Sequence, residues 1–138
     1  MTTLEETILD IFDVKNPEKI EREELLENLS YAGDVLQENI DEKIEKDKSI
    51  KLSEDVVYVV NADAWEEGGV IYLDIELTRE DASVEDEDEA FKTVFTTETP
   101  LEVLKISGNT KNADIISKIQ AKIDELEEKF INLIKANK

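Results

Sequence analysis

Two side chains are missing from this chain altogether. No cysteine occurs among its 138 residues, which excludes disulfides, thiolate nucleophiles and cysteine-ligated zinc. No histidine occurs either. With it go the commonest general base, the usual partner of a nucleophilic serine and the commonest transition-metal ligand. Proline is found only at Pro17 and Pro100. The longest unbroken apolar run is Val56 to Val60, five residues, too short to cross a membrane. The opening Met-Thr-Thr-Leu-Glu-Glu has neither the basic nor the apolar region of a signal peptide, so a cytoplasmic location is expected. Enzymes can work with carboxylates, lysine or tyrosine alone, but the expectation is a non-enzyme with no cofactor and no metal.

What the chain does have is negative charge, unevenly spread. Residues 1–90 carry 29 acids and 8 bases, whereas residues 91–138 carry 7 and 8, which together give the net −20. Residues 61–90 alone hold 12 acids against one base, Arg79. Such a surface repels nucleic acid and anionic lipid and attracts basic protein surfaces.

The C-terminal stretch, Asn112 to Ala136, predicts a long helix. Ile116, Ile119, Ile123, Leu126, Phe130 and Leu133 recur at 3-4-3-4-3 spacing, and Ile115 and Ile134 widen the stripe to an arc of roughly 100°. Asn112 is placed to cap it, with Asp114 in the first turn and Glu125 four residues before Lys129. The stripe suits packing onto the chain's own sheet. It also suits a parallel homodimer seam, in which Lys122 at a g position would face Glu127 at the partner's e position.

Upstream, Leu4, Ile8, Ile11 and Phe12 mark a helix over Thr3–Phe12, broken by Asn16-Pro17. A second helix is expected over Glu21–Leu29, then a turn at Ser30-Tyr31-Ala32-Gly33. A third runs from an Asp34 cap to Asp47, with Val35, Leu36, Ile40 and Ile44 on one face. The period then falls to about two. Ile50 and Leu52 suit a short strand pairing with Val56–Val60, and Asn61–Gly69 reads as a loop turning at Gly68-Gly69. Val70–Thr78 alternates, with Ile71, Leu73, Ile75 and Leu77 on one face and Tyr72, Asp74 and Glu76 on the other. Arg79–Glu89 is an acidic connection. Ala90–Thr97 predicts a strand with Phe91 and Phe95 on one face, and Leu101–Ile106 a last strand.

In the first sixty residues, Glu24-Leu25-Leu26-Glu27-Asn28-Leu29, the turn through Gly33, and Val35, Ile40, Ile44 and Ile50 follow one another in an order that resembles the winged helix-turn-helix family. The resemblance implies a three-helix unit with a hairpin wing, and a third helix that enters the DNA major groove. Here that helix carries Asp34, Glu38, Asp41, Glu42, Glu45 and Asp47 against Lys43 and Lys46. Acidic members of such a family look like protein-docking modules. The expected architecture is therefore α+β: a winged-helix-like unit over residues 1–61, then an antiparallel β-meander covered by the long helix over residues 62–138. The two may equally be written as one continuous domain.

Two motifs stand out as partner-binding candidates. Glu85, Asp86, Glu87, Asp88 and Glu89 form either a contact surface for a basic partner or a solvated loop. They do not form a calcium loop: counted from Asp81, the sixth position is Asp86 in place of glycine and the twelfth is Lys92 in place of glutamate. Trp65, with Glu66 and Glu67 beside it, reads either as an aromatic anchor in an acidic rim or as a ring sealing the edge of the core. With 36 acids some carboxylate pair always lies close, so proximity alone says nothing of acid–base catalysis. The functional expectation is an acidic adaptor, inhibitor or DNA mimic, of phage or plasmid type, that binds a basic protein surface, that of a nucleic-acid-binding protein among the candidates. It touches neither nucleic acid nor membrane directly. The alternatives are a winged-helix transcription regulator and a carboxylate-dependent enzyme.

Overall fold

The computed structural model describes residues 2–137; Met1 and Lys138, at the outer ends of the two expected units, lie outside the described residues. The first helix, α1 (Leu4–Phe12), starts where the Thr3 hydroxyl accepts the Glu6 amide and stops at Asp13, whose φ is 51°. A 3₁₀ turn (Pro17–Lys19) leads to α2 (Arg22–Glu27) and α3 (Tyr31–Lys46). Then come β1 (Val56–Glu67), β2 (Val70–Asp81), the single turn α4 (Glu87–Ala90), β3 (Phe91–Thr96), β4 (Leu101–Lys105) and α5 (Asn112–Asn137). The class is α+β, with an antiparallel meander and a long C-terminal helix.

β1 and β2 form a long hairpin, paired from Val56↔Asp81 to Glu67↔Val70. Its two-residue turn is Gly68-Gly69, at φ 60° and 79°, a backbone that side-chain-bearing residues adopt only with strain. β3 and β4 share the far edge of β2, end to end: β3 pairs with Glu76–Glu80 and β4 with Val70–Leu73. The inner face of this sheet buries Val56, Tyr58, Ala64, Ile71, Leu73, Ile75 and Leu77. These pack with Leu4 and Ile8 of α1, Val35, Leu36 and Ile40 of α3, and the isoleucine stripe of α5 in one continuous cluster. The expected boundary near residue 61 falls inside β1.

Several local expectations are corrected. Asn61–Glu67 is strand and not loop. Its inward side chains are Ala62, Ala64 and Glu66, which give no apolar alternation, and α3 lies close to the first of them. A Cβ on Gly33 would stand 2.6 Å from that of Ala62. Gly33 is accordingly inside α3, which starts at Tyr31; Asp34 sits in its first turn and does not cap it. The expected hairpin wing is absent. Ile50 and Leu52 form no strand but turn their side chains to the core, and Val56–Val60 pairs with β2 instead. The second helix is shorter than expected, ending before Asn28. Phe91 and Phe95 lie on opposite faces, because the register shifts between Leu77↔Phe95 and Thr78↔Thr93 and leaves Val94 as an extra residue.

Asn112 also does something other than capping. Its side chain, 4% exposed, donates to the carbonyls of Pro17 (2.9 Å) and Ile20 (2.8 Å) and accepts from Arg22 Nε (2.9 Å). The free amides at the start of α5 are taken by Glu18, whose two oxygens accept from Asn112 N and Ala113 N, each at 2.9 Å. Those two bonds, above all, hold the Glu18 carboxyl below its usual range.

Candidate functional site

In a strand, successive side chains face opposite ways, so the register of β1, β2 and β3 defines the second face of the sheet. No side chain on that outer face is buried, and the helical residues of the core all pack against the inner one. The outer face reads in rows across the strands. At one end stand Val57, Glu80 and Phe91; next come Val59, Thr78 and Thr93; then Asn61, Glu76 and Thr96. The pair Asp63 and Asp74 follows, then Trp65, Tyr72 and Glu102, and the other end is Glu67, Val70 and Lys105.

Trp65 stacks on Tyr72 with ring centroids 5.8 Å apart and planes 26° from parallel. Both rings are half-buried, and Trp65 is not part of the core. Glu67 shares the outer face beside them, whereas Glu66 points to the inner side of β1 opposite Ile71. Val57 and Phe91, flanking Glu80, are 51% and 55% exposed, the most exposed large apolar side chains of the described residues. With Val84, Glu80, Glu85 and Glu87 they line a hollow of about 390 Å³.

Asp63 and Asp74 are directly opposed, which places two like charges on Cβ atoms about 5 Å apart, a destabilising cross-strand pair. Each carboxylate is turned toward its own partner. Asp63 accepts from the Ser30 hydroxyl (3.1 Å) and Asp74 from the Thr97 hydroxyl (2.5 Å). With Asn61, Glu76 and Thr96 they line a second hollow of about 280 Å³. The single base of residues 61–90 does not neutralise them. Arg79 is an inner-face residue, its guanidinium 3.7 Å from Asp81 and directly across the ladder from the buried Tyr58. Burial pushes the Tyr58 hydroxyl up from its usual range.

The acidic segment lies against the same end of the sheet. Glu85, Asp86, Glu87, Asp88 and Glu89 are all exposed, with Asp86 capping α4 by accepting the Asp88 amide. It joins the Val57–Phe91 end of the outer face through the hollow it helps to line, and is remote in register from Trp65. The exposed side of α3 is a separate acidic stripe of Asp34, Glu38, Asp41 and Glu45. The stripe on α5 faces inward: Ile116, Ile119, Ile123, Leu126 and Phe130 are buried and Leu133 half-buried, with Phe130 against Phe95 of β3 at 5.2 Å.

Sequence reasoning found Trp65 and the acidic segment but missed Val57, Asp63 and Phe91 as members of one face. Tyr72, Asp74 and Glu76 were legible as the polar side of an alternating strand. Their partners on β1 were not, because Asn61–Glu67 carries no alternation. Among the described residues no group of three or more carboxylates is placed to hold a metal ion, and no helix is long and apolar enough to cross a membrane. The chain matches no protein-family model, no curated protein and no solved structure.

Proposed function

We propose that this protein is a non-enzymatic cytoplasmic interaction protein whose outer sheet face docks a basic surface of another protein, as an adaptor, an inhibitor or a mimic of DNA. The observation that carries the reading is the pairing of Asp63 with Asp74 between the half-buried Trp65–Tyr72 stack and the exposed Val57 and Phe91. Antiparallel sheets commonly leave one face to solvent, and that face is then mostly polar. Here it keeps Trp65, Tyr72, Val57 and Phe91 at the surface, and sets like charges where they repel. An arrangement that costs the free protein stability and attracts cations is what a binding face for a basic partner requires. Nucleic-acid-binding proteins are the commonest bearers of such basic surfaces, which is the case for the mimic. The transcription-regulator alternative draws no support from α3, whose exposed stripe is four carboxylates.

The test uses two variants. In Asp63→Asn with Asp74→Asn, removal of the repulsion should leave the melting temperature unchanged or raised, while partners captured from the native host are lost, as they are for wild type in high salt. Replacing Glu85, Asp86, Glu87, Asp88 and Glu89 with Ser or Asn should weaken capture less. Loss of capture only in the second variant would move the site to the acidic segment. Equal, salt-independent capture by all three proteins would remove the electrostatic reading.

A further inference from the structure

The layout of the outer face also constrains the shape of its partner. Resting on the docking reading above, the geometry points to a basic amphipathic α-helix, laid along β1 and β2, as the element that this face receives. The inner face already has its layer of helices, and a second helical layer on a sheet is one of the few stable ways to cover its other side.

The dimensions fit. Val57 and Trp65 are eight residues apart on one strand, roughly 26 Å at the usual rise, which a helix of about 18 residues spans. Such a helix would set an apolar side chain into the hollow between Val57 and Phe91 and another against the Trp65–Tyr72 pair. Between those two anchors it would present arginine or lysine to the hollow that Asp63, Asp74 and Glu76 line. A guanidinium there can bridge both aspartates, turning their repulsion in the free protein into a gain on binding.

An extended segment fits less well. A strand resting on a sheet face leaves its own amides and carbonyls unpaired, and it would satisfy them only at an edge. Both edges resist it. Along β1, Gln37 of α3 already donates to Tyr58 O (3.0 Å) and accepts from Val60 N (2.6 Å), and Ser30 Oγ accepts from Ala64 N (3.2 Å). The far edge is bulged in both β3 and β4 and interrupted between them at Thr97–Pro100.

The probe is a synthetic amidated peptide of about 18 residues, with leucines at both ends of one helical face and arginines midway between them. A scrambled peptide of the same composition serves as control. Titrated into the protein at ~150 mM salt, where surface charge is largely screened, the patterned peptide should bind at least about tenfold more tightly, a gap of about 1.4 kcal/mol. Amide shifts should concentrate at Trp65, Asp74 and Phe91, and the peptide should gain helical circular dichroism. Phe91→Ser and Asp74→Asn should each weaken it, whereas Asp41→Asn on α3 should not. Equal affinity for both peptides, with shifts still on the outer face, would overturn the helical partner and leave the docking face standing. Shifts centred on α3, or confined to Glu85–Glu89 with none at Trp65 or Asp74, would overturn both, as would no binding of either peptide at millimolar concentration.

Discussion

Gly33 is where helix and sheet come closest, and the contact has a sign that can be worked out. In an open helix, alanine is favoured over glycine by about 1 kcal/mol. Here the added methyl would meet Ala62 Cβ at 2.6 Å, an atom fixed to the strand backbone that cannot swing aside. Overpacking of that kind costs about 1–3 kcal/mol, and at this separation the cost exceeds the helix gain, so Gly33→Ala is expected to lower the melting temperature by a few degrees. Pairing it with Ala62→Gly should restore most of the loss, and a raised melting temperature for the single variant would show that the helix does not lie this close. Two acids argue a second case at this scale. The Ser49 hydroxyl and amide, with Lys135 beyond them, hold the Asp47 carboxyl down to about 2, and the α5 amides lower that of Glu18. Folded-state values below the unfolded ones mean stability that is present at neutral pH and lost on acidification, here through the range from 4.5 downward. Glu127, raised chiefly by burial, works the other way and gains as it protonates. The melting-temperature gap between wild type and Glu18→Gln should therefore be widest at pH 7 and close toward pH 2. A gap that stays constant would show that the carboxylate does not hold the helix start.

Among the elements, α5 carries most of the consequence. Its stripe closes the core from Ile115 near its start to Ile134 near its end, and it touches α1, α3 and β4 along the way. A charge at the middle of that stripe has no partner, so Ile123→Asp should cost roughly 4 kcal/mol or more and leave the chain largely unfolded by circular dichroism. A cooperative transition at the wild-type temperature would mean that the helix packs elsewhere. The β1 strand shows a different balance, since beyond Val60 its inward apolar side chains are small. It is held by twelve paired residues on one side and by the Gln37 and Ser30 side chains on the other.

For the molecule as a whole, a net charge of −20 on 138 residues sets the terms of association. No binding to duplex DNA is expected even at ~50 mM salt, because phosphate neutralisation supplies most non-specific affinity and this surface offers little of it. A gel shift at micromolar protein would revive the regulator alternative. Self-repulsion also predicts that the melting temperature at pH 7 rises with added salt before levelling off. A flat dependence would mean that the acids are spaced widely enough not to strain the fold.

The amino-acid sequence by itself determined whatever depends on period and composition. The α5 stripe, the alternation of β2, the Gly68-Gly69 turn, the α+β class and the acidity are properties of local spacing and count, and each survives unchanged in the structure. Contacts between distant segments were decided only by tertiary packing. Asn61–Glu67 is a strand because β2 offers it a full ladder and α3 packs against Ala62 there, neither of which is visible in its own composition. Ile50 and Leu52 have the pattern of a strand but no neighbour to pair with. Asn112 has the pattern of a cap but is the hub that ties α5 to residues 17–22, because Glu18 takes the helix amides. The outer face belongs to the same class: Asp63 and Asp74 are eleven positions apart in the chain, and only the register of the hairpin makes them neighbours.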